Sequence, residues 1–242
     1  PLRNTTEMTL SVWTITRKSL ITKYAVVMLA RATRQTLLQT LANILEGEFM
    51  SSIGNFEAAR TLVTQPGSLL EVGKVEVAGQ SLLGYVNAPS SMRDLWMLAT
   101  GHGEAEYMVY LDERMTYHDA AERVAGFANW LREQGIVPGD RVAIAMRNYP
   151  EWMLAHWAIN AVGAVVVGLN AWWVADEMAY ALDDSKPKML IADQQRLATF
   201  ATVNDQFPDM AVVSVRSEDD AVKSTSWDTA VSTGGVLPEV AI

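Results

Sequence analysis

None of the 242 residues is cysteine, which excludes a disulfide framework, a thiolate metal site and a cysteine nucleophile. Histidine is scarce, and His102, His118 and His156 stand too far apart for a local zinc motif. Basic residues are outnumbered, 19 Lys and Arg against 28 Asp and Glu. The net charge of -9 disfavours nucleic acid, whose phosphates are held by a cationic surface. Several phosphate and nucleophile motifs are missing as well. Gly101-His102-Gly103 is followed by Glu106 where G-x-G-x-x-G needs a third glycine, and Gly234-Gly235 has no lysine after it. No G-x-S-x-G supplies a nucleophile elbow. What remains is a chain that is 50% hydrophobic with eight tryptophans, a composition suited to a globular, cytoplasmic protein.

Charge is unevenly spread. Residues 1–45 carry Arg3, Arg17, Lys18, Lys23, Arg31 and Arg34 against the single acid Glu7, whereas residues 50–242 hold 13 basic and 25 acidic side chains. The first segment begins at Pro1, is rich in threonine, and places Leu38, Leu41 and Leu45 on one face of a possible helix ending at Gly47. Arginine with hydroxyl residues and few acids is the composition of an organelle transit peptide. The competing reading is a non-native extension ahead of Met50, and it is preferred because composition alone is a weak guide to targeting. Residues 1–49 are therefore expected to be a leader or an extension, and residues 50–242 to form the folded domain.

From Thr116 the chain alternates between two periods. Thr116 with Asp119 forms a capping-box start, and Val124, Phe127, Ala128 and Leu131 repeat at helical spacing up to Gly135. Val142–Met146 is an apolar run after the turn Pro138-Gly139-Asp140. Asn148, three residues before Glu151, is read as the cap of a second helix with the stripe Trp152, Ala155, Ile159 and Val162. Further strands are expected at 165–167, 189–192 and 211–215, with helices near 176–184 and 194–204 between them. Strand starts at 142, 165, 189 and 211 leave room for one crossover helix each, too long for hairpins. Unalternating apolar runs are what parallel strands covered on both faces require. The expected fold class is α/β, a parallel sheet with helices on both faces. Residues 107–117 suggest a hairpin around Asp112-Glu113, residues 50–100 have no clear period, and residues 216–239 read as a polar connection leading elsewhere.

Trp152–Ala175 has no formal charge and the length of a membrane span. His156, Asn160, Asn170 and two glycines divide it into helix, turn and strand, so no transmembrane segment is expected. Asp183-Asp184 and Glu218-Asp219-Asp220 read as solvated acids, and no catalytic, cofactor-binding or metal-ligating residue is assigned. One positional argument remains: open α/β sheets bind ligands at the carboxyl ends of their strands. It selects Arg147, Asn148, Asn170 and Trp172 as substrate-rim candidates, with Arg147 as the one basic residue there.

Gly139–Ile144, Arg147–Trp152, Gly163–Trp173 and Glu177–Ser185 together resemble the N-terminal part of AMP-forming acyl-CoA synthetases. The similarity runs from about Met50 to Ile242 and is best over Leu111–Asp193. It implies the large N-terminal domain of an adenylate-forming ligase, in which a carboxylate attacks ATP to give acyl-AMP and coenzyme A then forms the thioester. It further implies Mg2+ and a carboxylic, fatty-type acid substrate. The family's T-S-G-T-T-G-x-P-K phosphate loop and its lysine-bearing C-terminal domain have no counterpart here. Residues 50–242 are accordingly expected to be an incomplete domain that needs the remainder of the same ligase as partner and is inactive alone. The alternatives are a stand-alone α/β binding module without catalysis and a membrane-associated protein.

Overall fold

Residues 56–68, 70–218 and 221–240 are described by the structure, a computed structural model of the chain. The leader or non-native extension expected at 1–49 lies outside the described residues. The chain divides into two units, residues 1–88 and residues 89–242.

In the first unit, helix α1 (Phe56–Thr64) precedes an antiparallel hairpin of β1 (Val72–Val77) and β2 (Gln80–Tyr85). Its turn residues Ala78 and Gly79 have φ of 50° and 75°. Positive φ at both central positions matches the right-handed twist of the strands. This hairpin fills the stretch for which the sequence shows no period, because both of its faces are largely exposed and no apolar alternation arises.

The second unit starts with α2 (Met92–Thr100) and the hairpin β3 (Glu106–Tyr110) and β4 (Glu113–Thr116). Helix α3 (Tyr117–Glu133) follows directly. The Asp119 amide donates to Thr116 Oγ1 at 3.0 Å and the Thr116 amide to Asp119 Oδ2 at 2.9 Å, which completes the anticipated capping box. At its other end Gly135 adopts φ 78°, and the Ile136 amide reaches back to the Leu131 carbonyl at 3.0 Å. That Schellman closure turns Ile136 into the core.

Strand β5 (Arg141–Ala145), α4 (Pro150–Ala161), β6 (Val165–Gly168), α5 (Ala175–Ser185), β7 (Met189–Asp193), α6 (Gln194–Ala201) and β8 (Ala211–Val215) then alternate as anticipated. The polar connection is corrected: Thr225–Ser226 form β9, parallel to β8, and α7 (Trp227–Val231) buries Trp227 and Ala230. The segment thus extends the sheet rather than leaving it. The order is β6-β5-β7-β8-β9, all parallel, the doubly wound 2-1-3-4-5 arrangement.

Two cores flank this sheet, because successive strand side chains point to opposite faces. Val142, Ile144, Met189, Ile191, Val213 and Val215 pack with Phe127, Leu131, Leu154 and Ile159 of α3 and α4. Ala143, Ala145, Leu190, Ala192 and Val212 pack with Met178, Leu182, Leu197 and Phe200 of α5 and α6. Strand β6 is the edge, so Val165 is 48% exposed and Val166 only partly buried. The expectation that the strand at 165–167 is covered like the others therefore fails at this edge.

Asn148 does not cap α4 either. Tyr149 occupies the cap position without a side-chain bond, and Pro150 fills the first helical position. Proline suits that place because its missing N–H would be unbonded anyway and its φ is already helical. The uncharged stretch 152–175 resolves into α4, a turn at Gly163, β6 and a loop, and among the described residues no helix is long and apolar enough to cross a membrane.

Helix α2 docks on α4 through rings. Trp96 and Trp157 stack with centroids 5.1 Å apart at 23°, and the Trp157 Nε1–H donates to Tyr107 Oη at 2.8 Å. The adjacent His156 stacks on Trp152, one turn back along α4, at 5.5 Å. Its Nδ1 is buried without a hydrogen-bond partner among the described residues, and burial pushes the imidazole below its usual range.

Candidate functional site at the carboxyl ends of the strands

At or within two residues of their carboxyl ends, the central strands β5, β7 and β8 reach a charged residue, Arg147, Asp193 and Arg216 respectively. Asp193 closes β7 with its carboxylate 4% exposed and caps α6 by accepting the Arg196 amide at 3.1 Å. The other oxygen accepts the Arg147 amide, at the exit of β5, at 2.9 Å. The Arg196 guanidinium, 6% exposed, pairs with the same carboxylate at 3.2 Å and donates through Nε to the Ala171 carbonyl, after β6, at 2.6 Å. One buried ion pair thereby ties together the exits of β5, β6 and β7. These strands surround the point where the order reverses, the place where such sheets hold anionic ligands. Here the protein's own carboxylate accepts two backbone amides of that crevice, those of Arg147 and Arg196.

The loop after β6 is shaped by Asn170, whose Oδ1 accepts the Trp172 amide at 2.9 Å. Such an Asx turn projects the following side chain outward. Trp172 is 73% exposed, with the Arg147 guanidinium 4.8 Å and that of Arg196 5.8 Å from its ring centre. Tyr110, Arg147, Asn148, Tyr149, Ala171 and Trp172 line a cleft of about 480 Å³.

The far wall is built by Arg216, at the end of β8. Its guanidinium makes a bidentate pair with Glu113 at 2.7 and 2.8 Å and reaches Glu151 with Nε at 2.9 Å. It also lies 5.2 Å from the rings of both Tyr110 and Tyr149. Arg216 adopts φ 47°, a left-handed backbone that costs energy in a residue with a Cβ and is held by these four contacts. The Glu113 hydrogen bonds raise the guanidinium pKa, and Arg216 lowers that of Glu113 in return. Glu151 is 8% exposed and its second oxygen has no partner among the described residues.

Of the four residues selected by position, the structure brings Arg147, Asn148 and Trp172 into one cleft, while Asn170 shapes the loop behind it. Arg147 is not the one basic residue at this end, since Arg196 and Arg216 are there too. The guanidiniums of those two are bound by carboxylates, whereas that of Arg147 lies exposed over an indole. An exposed ring beside a guanidinium suits a flat group carrying negative charge. Among the described residues no group of three or more His, Asp or Glu is placed to hold a metal ion.

Comparison with known proteins follows the same lines. The profile of the AMP-binding enzyme family matches residues 95–238. Enterobactin synthase component F of Escherichia coli O157:H7 is 36% identical over 92 residues, 38% of this chain and 7% of that protein. A feruloyl-CoA synthase of an Amycolatopsis species is 38% identical over 89 residues, 37% of this chain and 18% of that one. The fold is similar to coronafacic acid ligase from Pectobacterium brasiliense, with a TM-score of 0.59, 18% identity, and coverage of 63% of this chain and 31% of the ligase. The chain spans less than a quarter of the length of the curated relatives it matches.

Proposed function

Because the chain belongs to the AMP-binding enzyme family, we propose that it is part of an ATP-dependent carboxylic acid–CoA ligase. That ligase joins a carboxylate to AMP with release of pyrophosphate, then transfers the acyl group to coenzyme A. The observation that carries this reading is the family match over residues 95–238, which spans the whole parallel sheet and its exits. The substrate we favour is a fatty acid. In this reading Arg147, Asn148, Asn170 and Trp172 form one rim of the ligand site, with the guanidinium and indole facing the negatively charged, flat part of what binds.

The residues present do not fit Mg2+ and a triphosphate. No glycine-rich loop carrying a lysine occurs in the sequence, and the described carboxylates form no cluster that could take a metal. A single exposed guanidinium over an indole is too little, since one missing donor to a developing charge already costs about 100–1,000-fold. The 242-residue chain is therefore expected to be silent by itself.

The test is ATP–pyrophosphate exchange across fatty, aryl and short-chain acids. It is run on the 242-residue chain and on the protein read from its gene through to the stop codon. Exchange by the latter alone, strongest with a fatty acid, supports the proposal in full. Preference for an aryl acid overturns the substrate, and silence with every acid overturns the ligase.

A further inference from the structure

The cleft beside Arg147 continues past its tyrosines. Tyr110, Asn148 and Tyr149 also line a second groove, of about 400 Å³, between β3 and the first turn of α4. Met108 and Val109 stand on one side of it, Trp152 and Met153 on the other, and none of its lining residues is charged. Val109 is 52% and Met153 37% exposed, so apolar side chains of this groove stand in water. Apolar surface left open in a groove marks a binding site for something apolar. Methionine, unbranched and with three rotatable bonds, adapts its shape to a flexible ligand. Where the two clefts join, Tyr110 and Tyr149 meet edge to face with centroids 5.8 Å apart, and the Arg216 guanidinium beside them is neutralised by Glu113 and Glu151. One end of the trough therefore offers the Arg147 guanidinium, paired with no carboxylate among the described residues, and the other an uncharged apolar lining.

We infer that this trough binds a straight-chain fatty carboxylate, its head at Arg147 and its alkyl chain along Met108, Trp152 and Met153. Stacking on Trp172 occupies only the face of the guanidinium, so its N–H edge stays available to a carboxylate. An aryl acid would fill the first cleft and leave the second in water, whereas an aliphatic chain covers both. This inference rests on the ligase reading and gives its acid substrate a place among the described residues. It makes Met153 a residue that sets chain length and Arg147 the residue that holds the head.

The test is calorimetric binding of acids from hexanoate to dodecanoate, each below its micelle concentration. It uses the 242-residue chain and the protein read through to its stop codon. Kd should fall about fourfold for each methylene that enters the groove, then level off once the groove is full. Met153→Trp, at a position already open to water, should bring that levelling-off to a shorter acid. Arg147→Gln should weaken every length by a common factor of about 10–100, the loss of a hydrogen-bonded charge. A Kd that ignores chain length, a levelling-off point unmoved by Met153→Trp, or unchanged affinity in Arg147→Gln would each overturn the inference. Binding by the 242-residue chain that the longer protein lacks would show the groove covered by later residues, and overturns it likewise. Length-dependent binding without pyrophosphate exchange for any acid overturns the ligase reading and leaves the groove standing. Exchange with fatty acids but length-independent binding overturns the groove alone.

Discussion

At the scale of single residues, Asp193 performs three tasks with one carboxylate. It neutralises a buried guanidinium, caps α6 and receives the Arg147 amide. Removing one partner of a buried pair leaves the other charge uncompensated, a loss of about 3–5 kcal/mol. Asp193→Ala should show that loss in urea melts, and a change well below 1 kcal/mol would mean that the pair is solvated. His156 supplies a pH dependence of the opposite origin. Its folded imidazole takes up a proton less readily than the unfolded one, so protons favour unfolding. Its contribution is complete above the ordinary pKa of about 6.5 and declines as pH falls below it. Stability measured from pH 7.5 down to 5 should drop less steeply in His156→Gln, whereas equal slopes would show that the ring is freely hydrated when folded.

At the scale of elements, the central and edge strands predict different costs for the same kind of truncation. Ile144→Ala, in a fully buried strand centre, should cost about 2–5 kcal/mol, the range for large-to-small core changes. Val166→Ala on the half-covered edge should cost about 1 kcal/mol, because less apolar surface returns to water. Equal losses in denaturant melts would contradict the edge position of β6. The strands that were legible in the sequence are those buried on both faces, such as Met189–Asp193, where every residue is inside. The hairpin of β1 and β2 was not legible, since its faces are exposed and Ala78 takes a positive φ where asparagine or glycine is the usual signal. Strand β9 was missed because two polar residues, Thr225 and Ser226, carry no pattern at all. The candidate site was half legible. Position at the strand ends pointed to Arg147, Asn148 and Trp172, but the wall built by Arg216 joins residues 65 and 103 positions apart, a relation that no local spacing contains.

At the scale of the whole molecule, we propose from the change in charge near Met50 that residues 1–49 are dispensable for folding. A chain starting at Met50 should melt as cooperatively as the 242-residue chain, and loss of that cooperativity would show that residues 1–49 are part of the domain. The stacking of Trp96 on Trp157 has a different kind of consequence. These two indoles come from different helices, α2 and α4, and lie near enough for their electronic transitions to couple. Their part of the near-ultraviolet circular dichroism exists only while α2 is seated on α4 and the rings are held in a fixed asymmetric setting, whereas the far-ultraviolet signal of the backbone needs merely that the helices persist. A state that keeps its helices but loosens its packing loses the first and retains the second. The molecule thus carries its own optical gauge of tertiary order at this junction, readable without any label.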